Sequence, residues 1–101
     1  MLINKPQNEN IADMIEKEFV VKNKLGLHAR PAGLFVQTAN KYKSQVRIFK
    51  GDQEVDGKSV MGLMTLAAEY GAVLKVVVDG EDEKALIDEL TNIFENKFYE
   101  E

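Results

Sequence analysis

Residues 26–39 read Gly26-Leu27-His28-Ala29-Arg30-Pro31-Ala32-Gly33-Leu34-Phe35-Val36-Gln37-Thr38-Ala39, and their spacing sets how the flanking segments are read. Ala32, Phe35, Val36 and Ala39 recur at i, i+3, i+4 and i+7, which is one face of a helix running from Ala29 to about Tyr42. Pro31 suits the first turn, where a missing N–H costs nothing. A helix that is apolar on one side must lie against something, and the segments around it supply strands. Glu18-Phe19-Val20-Val21-Lys22 is β-prone with polar ends, and the Leu25–Leu27 loop leads from it into the helix. Gln45 to Lys50 alternates, with Val46 and Ile48 on one side, as a half-buried strand does. Lys50-Gly51-Asp52-Gln53 signals a turn, and Glu54 to Asp56 would close a hairpin.

Ser59 starts a second helical stretch, with Val60, Leu63, Met64 and Ala67 on one face and Tyr70-Gly71 as its expected stop. Val73 to Val78 is the clearest strand, and Asp79-Gly80 turns the chain. Glu81, Asp82 and Glu83 put negative charge in the first turn of a last helix, as the helix dipole favours. Its buried face is Leu86, Ile87, Leu90, Ile93 and Phe94, with fraying expected near Phe98. The order is β-α-β-β-α-β-α. One-sided helices and alternating strands imply two layers, an α+β fold with three helices on one face of a four-stranded sheet. The other face should be open to solvent, with Lys22, Gln45, Arg47 and Lys75 on it. Residues 1–17 are polar and form an extension, partly ordered or disordered, ahead of a domain spanning residues 18–101. Ile11, Met14 and Ile15 have helical spacing, so a short amphipathic turn is the alternative there.

Composition removes several classes of function. With 101 residues there is room for one domain. There is no cysteine, hence no disulfide framework and no thiol nucleophile, which fits a reducing cytoplasm. A single histidine without cysteine argues against a zinc site, and no metal is expected. The net charge is −4 with scattered lysines, which disfavours nucleic acid. No apolar run approaches the ~18 residues of a membrane span, and no secretion signal opens the chain.

The chemistry concentrates at His28, the only histidine. As a residue type, histidine is largely neutral and nucleophilic near neutral pH. Helix N-termini offer unpaired N–H groups and positive potential to a phosphate, and Arg30 adds a guanidinium of matching shape. No carboxylate lies within a few residues of His28 to activate water, an absence that would protect a phosphohistidine. A surface histidine capping a helix is the plain alternative. Ser59 is well placed as an N-cap, and that alone could account for it.

Gly26-Leu27-His28-Ala29-Arg30-Pro31-Ala32, followed by Gly57-Lys58-Ser59-Val60-Met61-Gly62, resembles the histidine-containing phosphocarrier protein (HPr) family of the bacterial phosphotransferase system. The resemblance runs from about Glu18 to Lys97 and implies an open-faced β-sandwich with an antiparallel sheet. It also implies a relay in which Enzyme I loads a phosphoryl group onto a ring nitrogen and Enzyme II components unload it. His28 matches the phosphorylated histidine, with Nδ1 the expected atom, and Arg30 matches the arginine beside it. The N–H groups of Ala29 and Arg30 would contact the phosphoryl group. Ser59 matches a serine modified by an HPr kinase/phosphorylase, and a transcription regulator is a further partner. Gly33, Leu34, Gln37, Val60, Met61 and Met64 would form the partner-binding patch, with Met61 off the buried face and Met64 left between core and contact. Such a protein is a carrier rather than an independent catalyst. It is expected to be cytoplasmic and monomeric, and to need no cofactor.

Leu25 departs from the pattern, because many sugar-system relatives carry Asn or Ser there. Asn23-Lys24-Leu25-Gly26-Leu27-His28 looks closer to relatives that include a nitrogen-related regulatory branch. Two alternatives to sugar uptake therefore stand: a purely regulatory phosphoryl relay, and a non-catalytic binding module acting through Ser59.

Overall fold

The computed structural model describes residues 14–100. Seven main elements follow one another: β1 (Ile15–Val20), α1 (Ala29–Ala39), β2 (Gln45–Lys50), β3 (Gln53–Asp56), α2 (Val60–Thr65), β4 (Val73–Asp79) and α3 (Glu83–Glu95). The sheet order is β1-β4-β2-β3, and every neighbouring pair is antiparallel. This is the expected α+β open-faced sandwich of four strands and three helices. Alternation in the strands makes the inner face: Phe19, Val46, Ile48, Leu74, Val76 and Val78 are buried against Phe35 and Val36 of α1 and Leu90 and Phe94 of α3. Phe94 is the hub, stacked on Phe19 at 4.4 Å and edge-on to Phe35 and Phe98.

Several boundaries differ from the sequence-based expectation. β1 starts at Ile15 rather than Glu18, so Ile15 enters a strand instead of a helical turn. Residues 1–13 of the expected extension, Ile11 among them, lie outside the described residues. α1 stops at Ala39, short of Tyr42. α2 is cut shorter still, ending at Thr65 instead of running to Tyr70. Lys50 Nζ donates to the carbonyls of Leu66 and Ala67 at 3.0 and 3.2 Å, and Gln53 Nε2 donates to that of Thr65, so side chains from the β2–β3 hairpin satisfy the helix end early. Ala67 turns to φ 50, and the chain beyond pairs with the segment after β1. Ala67, on the same helical face by its spacing, is exposed beyond the helix end; Met64, left between core and contact, is exposed, while Leu63 is fully buried.

α3 begins at Glu83, with Asp82 as its N-cap and Glu81 ahead of it. The Asp82 side chain turns back to accept the N–H groups of Lys43 (2.8 Å) and Ser44 (3.0 Å) and the Ser44 hydroxyl, which seats the entrance to β2. These bonds, the Ser44 hydroxyl foremost, hold its carboxyl below the usual Asp range. The expected fraying near Phe98 does not occur. Phe98 is buried against Phe94 at a centroid separation of 5.0 Å, and Lys97–Tyr99 form a closing turn.

Gln45 and Arg47 lie exposed on the open face, as expected, and Lys75 is partly exposed. Lys22 instead follows β1 and pairs with Glu95 of α3 at 2.7 Å. The open face is not wholly polar underneath. Val77, level with Glu16 and Arg47, is buried, and Arg47 and Lys75 stand over the Phe49 ring at 5.8 and 4.9 Å.

Candidate functional site

The site is built where two loops are laced together. After β1, the Val21 N–H donates to the Ala72 carbonyl (2.9 Å) and the Gly71 N–H returns to the Val21 carbonyl (2.8 Å). Leu27 N–H then donates to the Ala68 carbonyl at 2.8 Å, and its side chain is buried. Between them Gly26 sits at φ +72 with its backbone pressed on Ala68, where a Cβ would collide with the Ala68 carbonyl oxygen. Only glycine meets both demands at no steric cost. A buried Leu27 after that turn leaves the next residue, His28, at the surface where α1 starts.

His28 is the N-cap of α1 by backbone geometry, and its carbonyl accepts the Ala32 N–H at 3.0 Å. Its side chain makes no cap hydrogen bond. Instead Nε2 lies 3.0 Å from Glu100 Oε2, with 37% of the imidazole side chain and 16% of the Glu100 side chain exposed. An ionised carboxylate only accepts hydrogen bonds, so with a neutral ring this contact requires the proton on Nε2. Nδ1 then carries the free lone pair. Ala29 and Arg30, the first helical residues, are exposed, and the first turn of a helix leaves its N–H groups without intrahelical partners. Next to Arg30 and Glu100 is an open cleft of about 320 Å³, lined also by Lys24, Leu25 and Tyr99. Two cations and one anion thus share one depression, with the Leu25 and Tyr99 side chains largely exposed on its rim.

Ser59 is the N-cap of α2, its hydroxyl oxygen accepting the Gly62 N–H at 2.9 Å, and it remains partly exposed. Asp56 holds the turn before it by accepting Lys58 N–H at 2.9 Å, while Lys58 Nζ reaches the Tyr42 carbonyl behind α1. α1 packs directly on α2, so the six residues expected to form a patch belong to adjoining helices. Within that set Met61 is 77% exposed and Met64 44%, Gln37 is exposed, and Gly33 and Leu34 are partly buried. Val60 leans against the core.

Sequence reasoning placed His28 and Arg30 at one helix start but missed two residues. Glu100 comes from the far end of the chain, brought in because Phe98 docks on Phe94; their i, i+4 spacing was the available signal. Asn23 is fully buried, its amide nitrogen 2.6 Å from the Gly26 carbonyl and 3.1 Å from Glu100 Oε1. Among the described residues, no group of three or more His, Cys, Asp or Glu side chains is arranged to hold a metal ion, and no helix is long and apolar enough to cross a membrane.

Comparison with known proteins gives a consistent picture. The family model for the phosphotransferase-system HPr component phosphorylation site matches residues 15–96. The phosphocarrier protein HPr of Xylella fastidiosa is 47% identical over 88 residues, covering 87% of this chain and 99% of that protein. The HPr-like protein Crh of Halalkalibacterium halodurans is 43% identical over 84 residues, covering 83% of this chain and all of that one. Among solved structures, HPr from Thermoanaerobacter tengcongensis superposes with a TM-score of 0.83 at 47% identity, covering 86% of this chain and 98% of that one. A dimeric crystal form of HPr from the same organism matches with a TM-score of 0.67 at 42% identity, over 92% of this chain and 98% of that one.

Proposed function

Since this chain belongs to the HPr family of phosphotransferase-system components, we propose that it accepts a phosphoryl group from Enzyme I on His28 Nδ1 and passes it to Enzyme II components. The observation that carries this reading is the half-exposed imidazole at the start of α1 with Nε2 engaged by Glu100 at 3.0 Å. In the transfer, the bond from phosphorus to the donor atom breaks as the Nδ1–phosphorus bond forms, and the Nε2 proton stays on the ring facing Glu100. Arg30 offers charge-assisted hydrogen bonds to the phosphoryl oxygens, and the N–H groups of Ala29 and Arg30 offer the helix-start donors. The exposed position suits a carrier. An anion at an exposed helix start gains only ~0.3–1 kcal/mol, so the group is held and still released.

Met61 and Met64 support partner docking next to this site, because flexible thioethers adapt to more than one surface. Ser59 is the proposed target of a regulatory kinase/phosphorylase. Its phosphate would add roughly −1.5 to −2 charges at a helix start that tolerates them, inside the surface Enzyme I must cover. A regulatory relay remains the second reading, favoured by Leu25 on the rim of the cleft and by the likeness to a Crh protein.

The test is incubation with Enzyme I and phosphoenolpyruvate, followed by mapping of acid-labile phosphate. The parent is expected to carry it on His28, and His28→Ala to carry none while remaining folded. Full acceptance by His28→Ala would refute the assignment.

A further inference from the structure

Two features of this fold carry a cost. Asn23 is wholly buried, and its carbonyl oxygen Oδ1 has no hydrogen-bond partner among the described residues. Such an orphaned group is rare in folded proteins and calls for a reason. Its amide nitrogen, by contrast, serves two acceptors, the Gly26 carbonyl and Glu100 Oε1. Reversing the amide would set oxygen against both, so the partners dictate the orientation. The second feature is the closing turn, where Lys97, Phe98 and Tyr99 stand at φ 55, 56 and 57, a left-handed conformation that side chains disfavour. Both features converge on one carboxylate. The strained turn delivers Glu100 to the surface of the site, and the buried amide fixes one of its oxygens, leaving the other 3.0 Å from His28 Nε2.

We propose that Asn23 is a positioning residue for phosphoryl transfer: its amide orients the Glu100 carboxylate, which keeps His28 as the Nε2–H tautomer with Nδ1 open. This deepens the carrier reading and rests on it, since it gives the open nitrogen its purpose. Leu25 cannot hydrogen-bond the site from its rim; support enters from beneath, through the same loop. Asn23 also ties the Gly26 carbonyl, so one side chain sets the turn that presents the ring and the carboxylate behind it.

The test reads the tautomer directly, from the ring-nitrogen chemical shifts of isotope-labelled His28, at a pH chosen so that those shifts report a neutral ring. The parent should be almost entirely Nε2–H. Asn23→Ala and Glu100→Ala should each give a mixture, and the double variant should go no further than either single one. Loading by Enzyme I should lose about tenfold in kcat for Asn23→Ala, with KM for Enzyme I within about twofold of the parent. Tautomer populations unchanged in a folded Asn23→Ala would overturn the proposal, whatever that variant's stability. If Asn23→Ala does not fold, Glu100→Ala decides. The Asn23 side-chain amide signals should move there, and signals identical to the parent's would overturn the proposal. Should the parent take up no phosphoryl group while the tautomers shift as expected, the carrier reading falls and with it the role in transfer, and only the control of the ring tautomer by Asn23 and Glu100 stands.

Discussion

Replacing Gly26 by alanine probes the loop that presents His28. Two separate penalties apply. At φ +72 a residue with a Cβ occupies the left-handed region, which costs roughly 1–2 kcal/mol. The new methyl group would also collide with the Ala68 carbonyl oxygen and stand 2.9 Å from Glu69 Cα, both main-chain atoms that cannot swing aside. Overpacking of that kind adds about 1–3 kcal/mol. The sum is about 2–5 kcal/mol, a large share of the 5–15 kcal/mol typical of a folded domain. Gly51 supplies the control. It too has a positive φ, 60, but nothing lies within 4 Å of a Cβ built there, so Gly51→Ala carries the conformational penalty alone. Urea denaturation of both variants measures the difference. A second consequence is functional. To relieve the collision the loop must lift off Ala68, which stretches the 2.8 Å Leu27–Ala68 hydrogen bond and the Asn23–Gly26 contact, and moves His28 relative to Glu100. Loading by Enzyme I should therefore slow in Gly26→Ala even after correction for the folded fraction, and not in Gly51→Ala. Equal stability losses in the two variants, to within about 0.5 kcal/mol, would refute the close-approach argument.

Ser59→Ala removes the hydroxyl that accepts the Gly62 N–H and should cost about 1 kcal/mol of stability in the same denaturation assay. Ser59→Asp keeps an N-capping group yet should slow phosphorylation of His28 by Enzyme I; identical rates in parent and variant would remove the regulatory reading. Acid should destabilise the fold through Asp82, Glu89 and Glu95, whose carboxyls are held below their ordinary values chiefly by hydrogen bonds from Ser44, Lys41 and Lys22 respectively. Their folded pKa values lie below the unfolded ones, so their contribution is complete above about pH 4–5 and is lost as pH falls through the folded values. Asp82→Asn should flatten that acid limb of the stability curve measured by thermal unfolding, and a limb of unchanged slope would contradict it.

Hydrophobic period carried most of the fold. The apolar faces of α1 and α3 lie buried residue for residue as their spacing demands, because both helices are long enough for a stripe to declare itself. α2 defeated the same logic. Its spacing continues through Ala67, but Lys50 and Gln53, distant in sequence, cap its carbonyls after Thr65 and release the chain to pair with the segment behind β1. A local pattern cannot register a cap donated by another hairpin. The site divides in the same way. His28, Ala29 and Arg30 were legible because one helix start holds all three. Glu100 is brought to His28 across 72 positions of sequence by the docking of Phe98, and Asn23 was given no role because burial of a lone polar side chain leaves no periodic trace.

The presence of Glu100 changes the account of why a phosphohistidine would survive here. Lack of a nearby carboxylate had seemed the protection, since a carboxylate can act as general base toward water. The structure puts one in contact with the ring, yet on the wrong edge for hydrolysis. Glu100 Oε2 meets Nε2, whereas the proposed phosphoryl acceptor is Nδ1, which points from the opposite side of the imidazole. A general base must lie within about 2.6–3.2 Å of the proton it removes, or act through one water. Glu100 sets one oxygen against the ring at Nε2 and the other against the Asn23 amide. On the proposed assignment, the contact that would keep Nδ1 open also holds the near carboxylate oxygen against Nε2, the other ring nitrogen. The orientation of ring and carboxylate is one arrangement, set by a buried amide and a docked phenylalanine.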